Sequence, residues 1–158
     1  GTGTDHGRRL VGGMDEAAYR STRDEVNRLP CVFERALLSR TAVCQCAATH
    51  ALAERESIAC TAPVARVDCG QLAALLREKS AFAVRQQTTQ RILPHAAMMK
   101  IQCGGLLGLH RLLANHAAPP DVRDLVLAAR QRFGGLADLP FSEIVKGVAA
   151  FQLRKRPR

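Results

Sequence analysis

The sequence is poor in aromatic residues: its 158 residues include five phenylalanines, one tyrosine and no tryptophan. The hydrophobic content of 47% therefore consists mainly of alanine, leucine and valine, and alanine and leucine favour helices. Nowhere does the sequence hold the roughly 18 consecutive apolar residues that a membrane-spanning helix needs. Its first residues also lack the apolar stretch of a secretory signal. We therefore expect a soluble, cytoplasmic protein without a membrane span.

The motifs of common enzyme classes are missing as well. We find no pair of carboxylates, no phosphate-binding glycine loop and no nucleophile elbow. The stretch GGLLGL at 104–109 lacks the preceding strand and the lysine that phosphate-binding loops use. Because the sequence offers no catalytic residues, we expect a binding protein rather than an enzyme.

The hydrophobic pattern predicts an all-α fold of four to five helices. Residues 31–57 contain no glycine or proline and predict one long helix, and a second helix is predicted from Pro63 to about Gln86. These two helices would form an antiparallel helical hairpin. Three further helices are predicted within 93–116, 119–133 and 139–153. Gly104 and Gly105 interrupt the pattern of the first of these, and Ser142 lies near the start of the last.

The domain organisation follows from this pattern, because this length suits a single domain. Residues 30–153 are predicted to form one helical domain. Residues 1–29 are predicted to be a flexible or marginally helical lead-in, and residues 154–158, RKRPR, a basic tail.

Six cysteines are the main functional signal, with the spacing C-x12-C-x-C-x13-C-x8-C-x33-C. This spacing matches no zinc-finger, ferredoxin or C-x-x-C pattern. Without an export signal we expect reduced thiols. They are either small hydrophobic side chains of the core or ligands of a metal.

The metal hypothesis uses the predicted helical hairpin. Cys46 and Cys69 would lie at similar height on its two helices, Cys60 would lie in the connection, and His50 follows Cys46 by one helical turn. We therefore predict a zinc or iron-sulfur site for redox, electron-transfer or structural purposes. Its ligands would be Cys46, Cys60 and Cys69, with a fourth from His50, Cys44, Cys31 or Cys103.

The charge distribution supports an alternative. Of the net charge of +9, residues 1–60 contribute nothing, with eight basic and eight acidic side chains, whereas residues 61–158 carry fifteen basic and six acidic ones. A metal-free helical interaction module could therefore bind an acidic protein or a nucleic acid. The shortage of aromatic residues and of a recognisable reading helix favours a protein partner. The candidate residues for this surface are Arg77, Lys79, Arg85, Arg91, Arg154, Lys155, Arg156 and Arg158.

Three blocks of the sequence resemble an uncharacterised group of small cysteine-containing proteobacterial proteins. They are CVFERALLSR, HALAERESIACTAPVARVDC and LPHAAMMKIQCGGLLGL, and the resemblance covers roughly residues 30–110. It implies a bacterial cytoplasmic protein, and it implies no activity and no catalytic residues.

Overall fold

The computed structural model describes residues 16–18, 29–86, 94–114 and 118–153. Six α-helices and a two-stranded antiparallel sheet follow one another in residues 29–153 of this part of the chain. In chain order the elements are α1 (Glu34–Leu38), β1 (Ala47–Leu52), β2 (Arg55–Cys60), α2 (Pro63–Gln86), α3 (Pro94–Met99), a π-helical turn (Lys100–Gly104), α4 (Gly105–Leu113), α5 (Val122–Phe133), a 3-10 turn (Leu136–Asp138) and α6 (Phe141–Ala150).

The predicted long first helix is wrong, because α1 ends after only five residues. Arg40 adopts a left-handed conformation with φ of 65°, and its N–H donates to the Leu37 carbonyl while the Thr41 N–H donates to the Ala36 carbonyl at 3.0 Å. These two bonds are the pattern of a Schellman motif, which ends a helix and is usually built on glycine. The chain therefore leaves the helical path well before Cys44.

A β-hairpin occupies the second half of the segment predicted as helix. Strands β1 and β2 pair antiparallel from Ala47 opposite Cys60 to Leu52 opposite Arg55. Ala53 and Glu54 connect them with φ of 53° and 66°, which is the conformation of a tight hairpin turn. The fold is thus mixed, mostly helical with a small sheet, and the prediction of an all-α helical hairpin is wrong.

The helices predicted downstream agree with the structure more closely. Helix α2 spans Pro63–Gln86 as predicted. Helix α5 begins after Asp121, whose carboxylate accepts the Asp124 N–H, and ends at Gly134, whose φ of 91° suits glycine. Helix α6 confirms the predicted short last helix.

The predicted break near Gly104 and Gly105 is a π-helical turn between α3 and α4. Within it the buried Gln102 side chain accepts the Ala36 N–H and donates to the Val32 carbonyl, both at 3.3 Å. An amide side chain with both of its polar atoms bonded to backbone fixes the position of α1 relative to this turn.

The centre of the core lies where α2, α4 and α6 pack together. Leu72, Leu76, Leu106, Leu109 and Ile144 are almost completely buried there. No helix in the described residues is long and apolar enough to cross a membrane. The predicted tail, and the predicted lead-in apart from residues 16–18 and Leu29, lie outside the described residues.

Candidate metal centre

Five of the six cysteines line one small cavity between the β-hairpin, α2 and the start of α5. The cavity has a volume of about 20 Å³, enough for at least one atom of the size of a water oxygen. Its remaining walls are mainly apolar, and two arginines, Arg66 and Arg123, complete them. The cysteines are Cys31, Cys44, Cys46, Cys60 and Cys69.

Backbone pairing brings Cys31 and Cys60 to this cavity from positions 29 residues apart in sequence. The Cys31 N–H donates to the Ile58 carbonyl at 2.8 Å, and the Cys60 N–H donates to the Leu29 carbonyl at 2.7 Å. Residues 29–31 therefore extend along the free edge of β2, with Pro30 bridged to Ala59. Because proline has no N–H to donate, this edge position suits it.

The loop that carries Cys44 is docked on the N-terminus of α5. Val43 forms a parallel bridge with Asp121, and the Val122 N–H donates to the Val43 carbonyl at 2.8 Å. The Asp121 carboxylate also accepts the Gln45 N–H at 2.9 Å. Cys69, on the second turn of α2, faces the same cavity.

Three of the five thiols receive a hydrogen bond from the backbone N–H two residues further along the chain. The Cys44 Sγ accepts the Cys46 N–H at 3.4 Å, and the Cys60 Sγ accepts the Ala62 N–H at 3.5 Å. The Phe33 N–H acts in the same way on Cys31 and lowers the pKa of its thiol. At Cys31 and Cys44 these N–H donors lower the pKa and favour the charged thiolate, which is the form that binds metals. The Cys60 Sγ also donates to the Ala62 carbonyl at 3.2 Å.

Burial opposes this effect of the N–H donors. It raises the pKa of the Cys31 thiol to about 11 and that of Cys69 to about 12, and it also raises the pKa of Cys44. The pKa of Cys69 is raised further by Cys31, Cys44 and Cys60. These four cysteines thus lie close enough to interact electrostatically, and the thiols of Cys31 and Cys69 are neutral near pH 7.

Two arginines supply positive charge at the cavity. Arg123 lies in the first turn of α5; its side chain lowers the pKa of Cys69, and its backbone N–H lowers that of Cys44. An ion pair of 3.1 Å with Asp68 holds the Arg123 guanidinium in place. Arg66 is fixed by a hydrogen bond of 2.7 Å from its Nε to the Pro30 carbonyl. The sequence reasoning did not identify either arginine, although Arg66 precedes Cys69 by three residues on one helix face.

The thiols do not converge on a single point. Among the described residues, no three or more His, Cys, Asp or Glu side chains are arranged to hold a metal ion. Four thiolates on one zinc ion would lie roughly 3.8 Å apart, given a Zn–S bond of about 2.3 Å. The five cysteines therefore surround an open space, and rotation about χ1 would move each Sγ by roughly 3 Å.

The structure brings together some of the predicted ligands and separates others. Cys46, Cys60 and Cys69 share the cavity with Cys44 and Cys31, whereas His50 and Cys103 do not line it. The argument that placed His50 one helical turn after Cys46 is wrong, because this segment is a turn followed by a strand. His50 lies opposite Ser57 in the hairpin. Cys103 is fully buried in the π-helical turn, where its Sγ lies 3.6 Å from the Ser39 Oγ.

The alternative basic surface is described only in part. Arg77 and Lys79 are exposed on α2. The Arg85 side chain, Arg91 and the basic residues of the tail lie outside the described part of the chain. Comparison of this chain with protein-family models, with curated proteins and with solved structures finds no match.

Proposed function

We propose that this protein binds a metal centre through the thiolates of Cys31, Cys44, Cys60 and Cys69. The observation that carries the proposal is that these four thiols, each from a separate segment of the chain, line one apolar cavity. If the cysteines served only as small hydrophobic side chains, their clustering at one cavity would have no explanation. The backbone N–H groups that donate to three of the sulfur atoms would have none either.

The wide spacing of the thiols favours an iron-sulfur cluster over a single zinc ion, and the cavity of about 20 Å³ must widen to admit the cluster. Zinc requires four sulfurs that converge on one point, whereas in a [4Fe–4S] cluster each thiolate binds a different iron, so the ligands stand further apart. The thiols here surround an open space without converging. An apolar lining with N–H donors to the sulfurs is also the environment that tunes such clusters. The centre would serve electron transfer, redox sensing or structural support, and no substrate turnover is implied.

The positive charge of the two arginines suits a site that binds a negatively charged metal–thiolate centre. Zn²⁺ with four thiolates carries two negative charges in excess, and a buried site must balance them. Arg66 and Arg123 both line the cavity and supply positive charge, and Asp68 offsets part of the Arg123 charge. The site therefore offers partial charge balance as well as ligands.

The test is metal and acid-labile sulfide content, with an absorption spectrum, on protein purified without oxygen. We expect iron, sulfide and a broad visible band. Single substitutions to alanine at the four proposed ligands should each lower the iron content severalfold. Cys103→Ala is the matched control, because Cys103 is also a cysteine of the domain and lies outside the cavity; its iron content should equal that of the wild type.

Other outcomes separate the alternatives. If the protein contains zinc and no sulfide, the proposed thiolate metal site is supported and the iron-sulfur cluster is refuted. A colourless, fully folded protein that takes up neither zinc nor iron would refute the site. It would leave the metal-free interaction module with an acidic protein or nucleic acid as its partner, whose binding should weaken steeply with salt.

A further inference from the structure

Cys44 and Cys46 lie in the same tight turn of the chain. The Ala47 N–H donates to the Cys44 carbonyl at 3.1 Å, which closes a β-turn with Cys46 at its third position. Consecutive Cα atoms are about 3.8 Å apart, and two such steps that meet at about 90° in a turn place its first and third Cα atoms roughly 5.4 Å apart. Disulfides join Cα atoms separated by roughly 4.4–6.8 Å. The Cys44 Sγ lies only 3.4 Å from the Cys46 backbone nitrogen.

Cys46 is also surplus to the proposed centre. It lines the same cavity as the four proposed ligands, and four thiolates complete the coordination. It is half-buried rather than enclosed, so a small molecule can reach it. It acts electrostatically on Cys44, which is its nearest neighbour among the thiols by sequence.

We propose that Cys44 and Cys46 form a reversible disulfide that closes the empty site to metal. The inference rests on the proposed function, because it treats Cys44 as a ligand and Cys46 as its redox partner. Oxidation removes one of the four ligands, and the three that remain cannot hold the centre. The protein would thus take up its metal only when the thiols are reduced.

The oxidant in this step is a low-molecular-weight disulfide. The thiolate of one cysteine attacks a sulfur of the external disulfide, breaks its S–S bond and releases one external thiol, which takes up the proton. The thiolate of the second cysteine then attacks the protein sulfur of this mixed disulfide and releases the second external thiol. Two electrons pass from the two cysteines to the external disulfide, and both protons leave on the released thiols.

The test uses metal-free protein treated with oxidised glutathione. We expect a mass lower by two hydrogens, and a digest in which Cys44 and Cys46 are linked and unavailable to alkylation. The oxidised protein should take up at least tenfold less iron and sulfide than reduced protein, and dithiothreitol should restore uptake. Cys46→Ala should take up iron and sulfide normally and should keep this capacity after the same treatment with oxidised glutathione.

Three results would overturn the inference. The first is a link between another pair of cysteines, or no link at all. The second is failure of reduced Cys46→Ala to take up metal, since Cys46 would then be a ligand. The third is full uptake by protein whose Cys44–Cys46 link is verified. If reduced wild-type protein takes up no metal, the proposed function fails, and control of metal uptake by the disulfide fails with it. The digest reports independently whether the disulfide between Cys44 and Cys46 forms.

Discussion

The packing of α4 against α6 depends on glycine, and Gly147→Ala is the sharpest test of the fold. A Cβ atom added at Gly147 would lie 2.5 Å from the Gly104 carbonyl oxygen, 2.8 Å from the Gly108 Cα and 2.9 Å from the Gly108 nitrogen. All three are backbone atoms, so no side-chain rotation can relieve the contact. The two helices would have to move apart.

The size of the effect follows from these distances. A carbon atom approaches a carbonyl oxygen to roughly 3.3 Å, so the helices must separate locally by roughly 0.8 Å. Overpacking of a core costs about 1–3 kcal/mol, and we expect the upper half of this range because the backbone must yield. Alanine gains about 0.5–1 kcal/mol over glycine within a helix. We therefore expect Gly147→Ala to lower the free energy of unfolding by about 1–2.5 kcal/mol, or Tm by about 2–10 °C.

Gly70→Ala is the matched control for this substitution. Gly70 lies within α2, and an added Cβ there would meet nothing within 4 Å. This variant should gain the helix propensity alone, about 0.5–1 kcal/mol. Urea denaturation of both variants, metal-free and reduced, measures the difference. If Gly147→Ala is as stable as Gly70→Ala, the close approach of α4 and α6 described here is incorrect.

Three further substitutions test the site and its surroundings. Arg123→Met should weaken metal retention about 10–100-fold in competition with a chelator, because loss of a residue beside the ligands has an effect of this size. Arg130→Met is the control and should leave metal retention unchanged. Both arginines pair with Asp68, but Arg130 does not line the cavity. Ser80→Ala should raise the free energy of unfolding by about 1 kcal/mol, because its buried hydroxyl has no hydrogen-bond partner among the described residues. Asp121→Ala should lower it by about 1–2 kcal/mol through loss of the α5 N-cap, which is measurable by thermal unfolding.

The helices of the C-terminal half were predictable because their ends carry chemical signals. Pro63 suits the first helical position, Asp121 caps α5, and Gly134 supplies the positive φ that ends it. The glycines at 104 and 105 also signalled an irregularity, and the close approach of Gly104 to the Gly147 backbone explains why residue 104 has no side chain. The sequence did not indicate that the irregularity is a π-helical turn.

The β-hairpin could not be predicted in the same way, because its turns use residues that give no turn signal. Arg40, Ala53 and Glu54 all adopt positive φ, a conformation that glycine and asparagine usually provide. Alanine, leucine and glutamate favour helices, so local propensity in 31–57 points away from the observed structure. Tertiary contacts override it: the Ile58 N–H, for example, donates to the Glu34 carboxylate at 2.8 Å.

The membership of the cysteine cluster was partly predictable, but its geometry was not. On one straight helix Cys31 would lie roughly 22 Å from Cys46. The chain reverses after α1, and Cys31 instead lies beside β2 and lines the same cavity as Cys46. The proposed ligands therefore change with the fold, because Cys31 now lines one cavity with Cys44, Cys60 and Cys69.

The position of the cavity explains what a metal centre would contribute to the fold. The core of α2, α4 and α6 is closed by apolar side chains and contains none of the four proposed ligands apart from Cys69 on α2. The other three ligands belong to residues 29–60, where the sheet has only two strands and the helix only five residues. Metal–sulfur bonds would thus join the smaller segment to α2. Loss of the metal should therefore loosen residues 29–60 before it affects the helical core, since local opening follows the regions with the least buried contact.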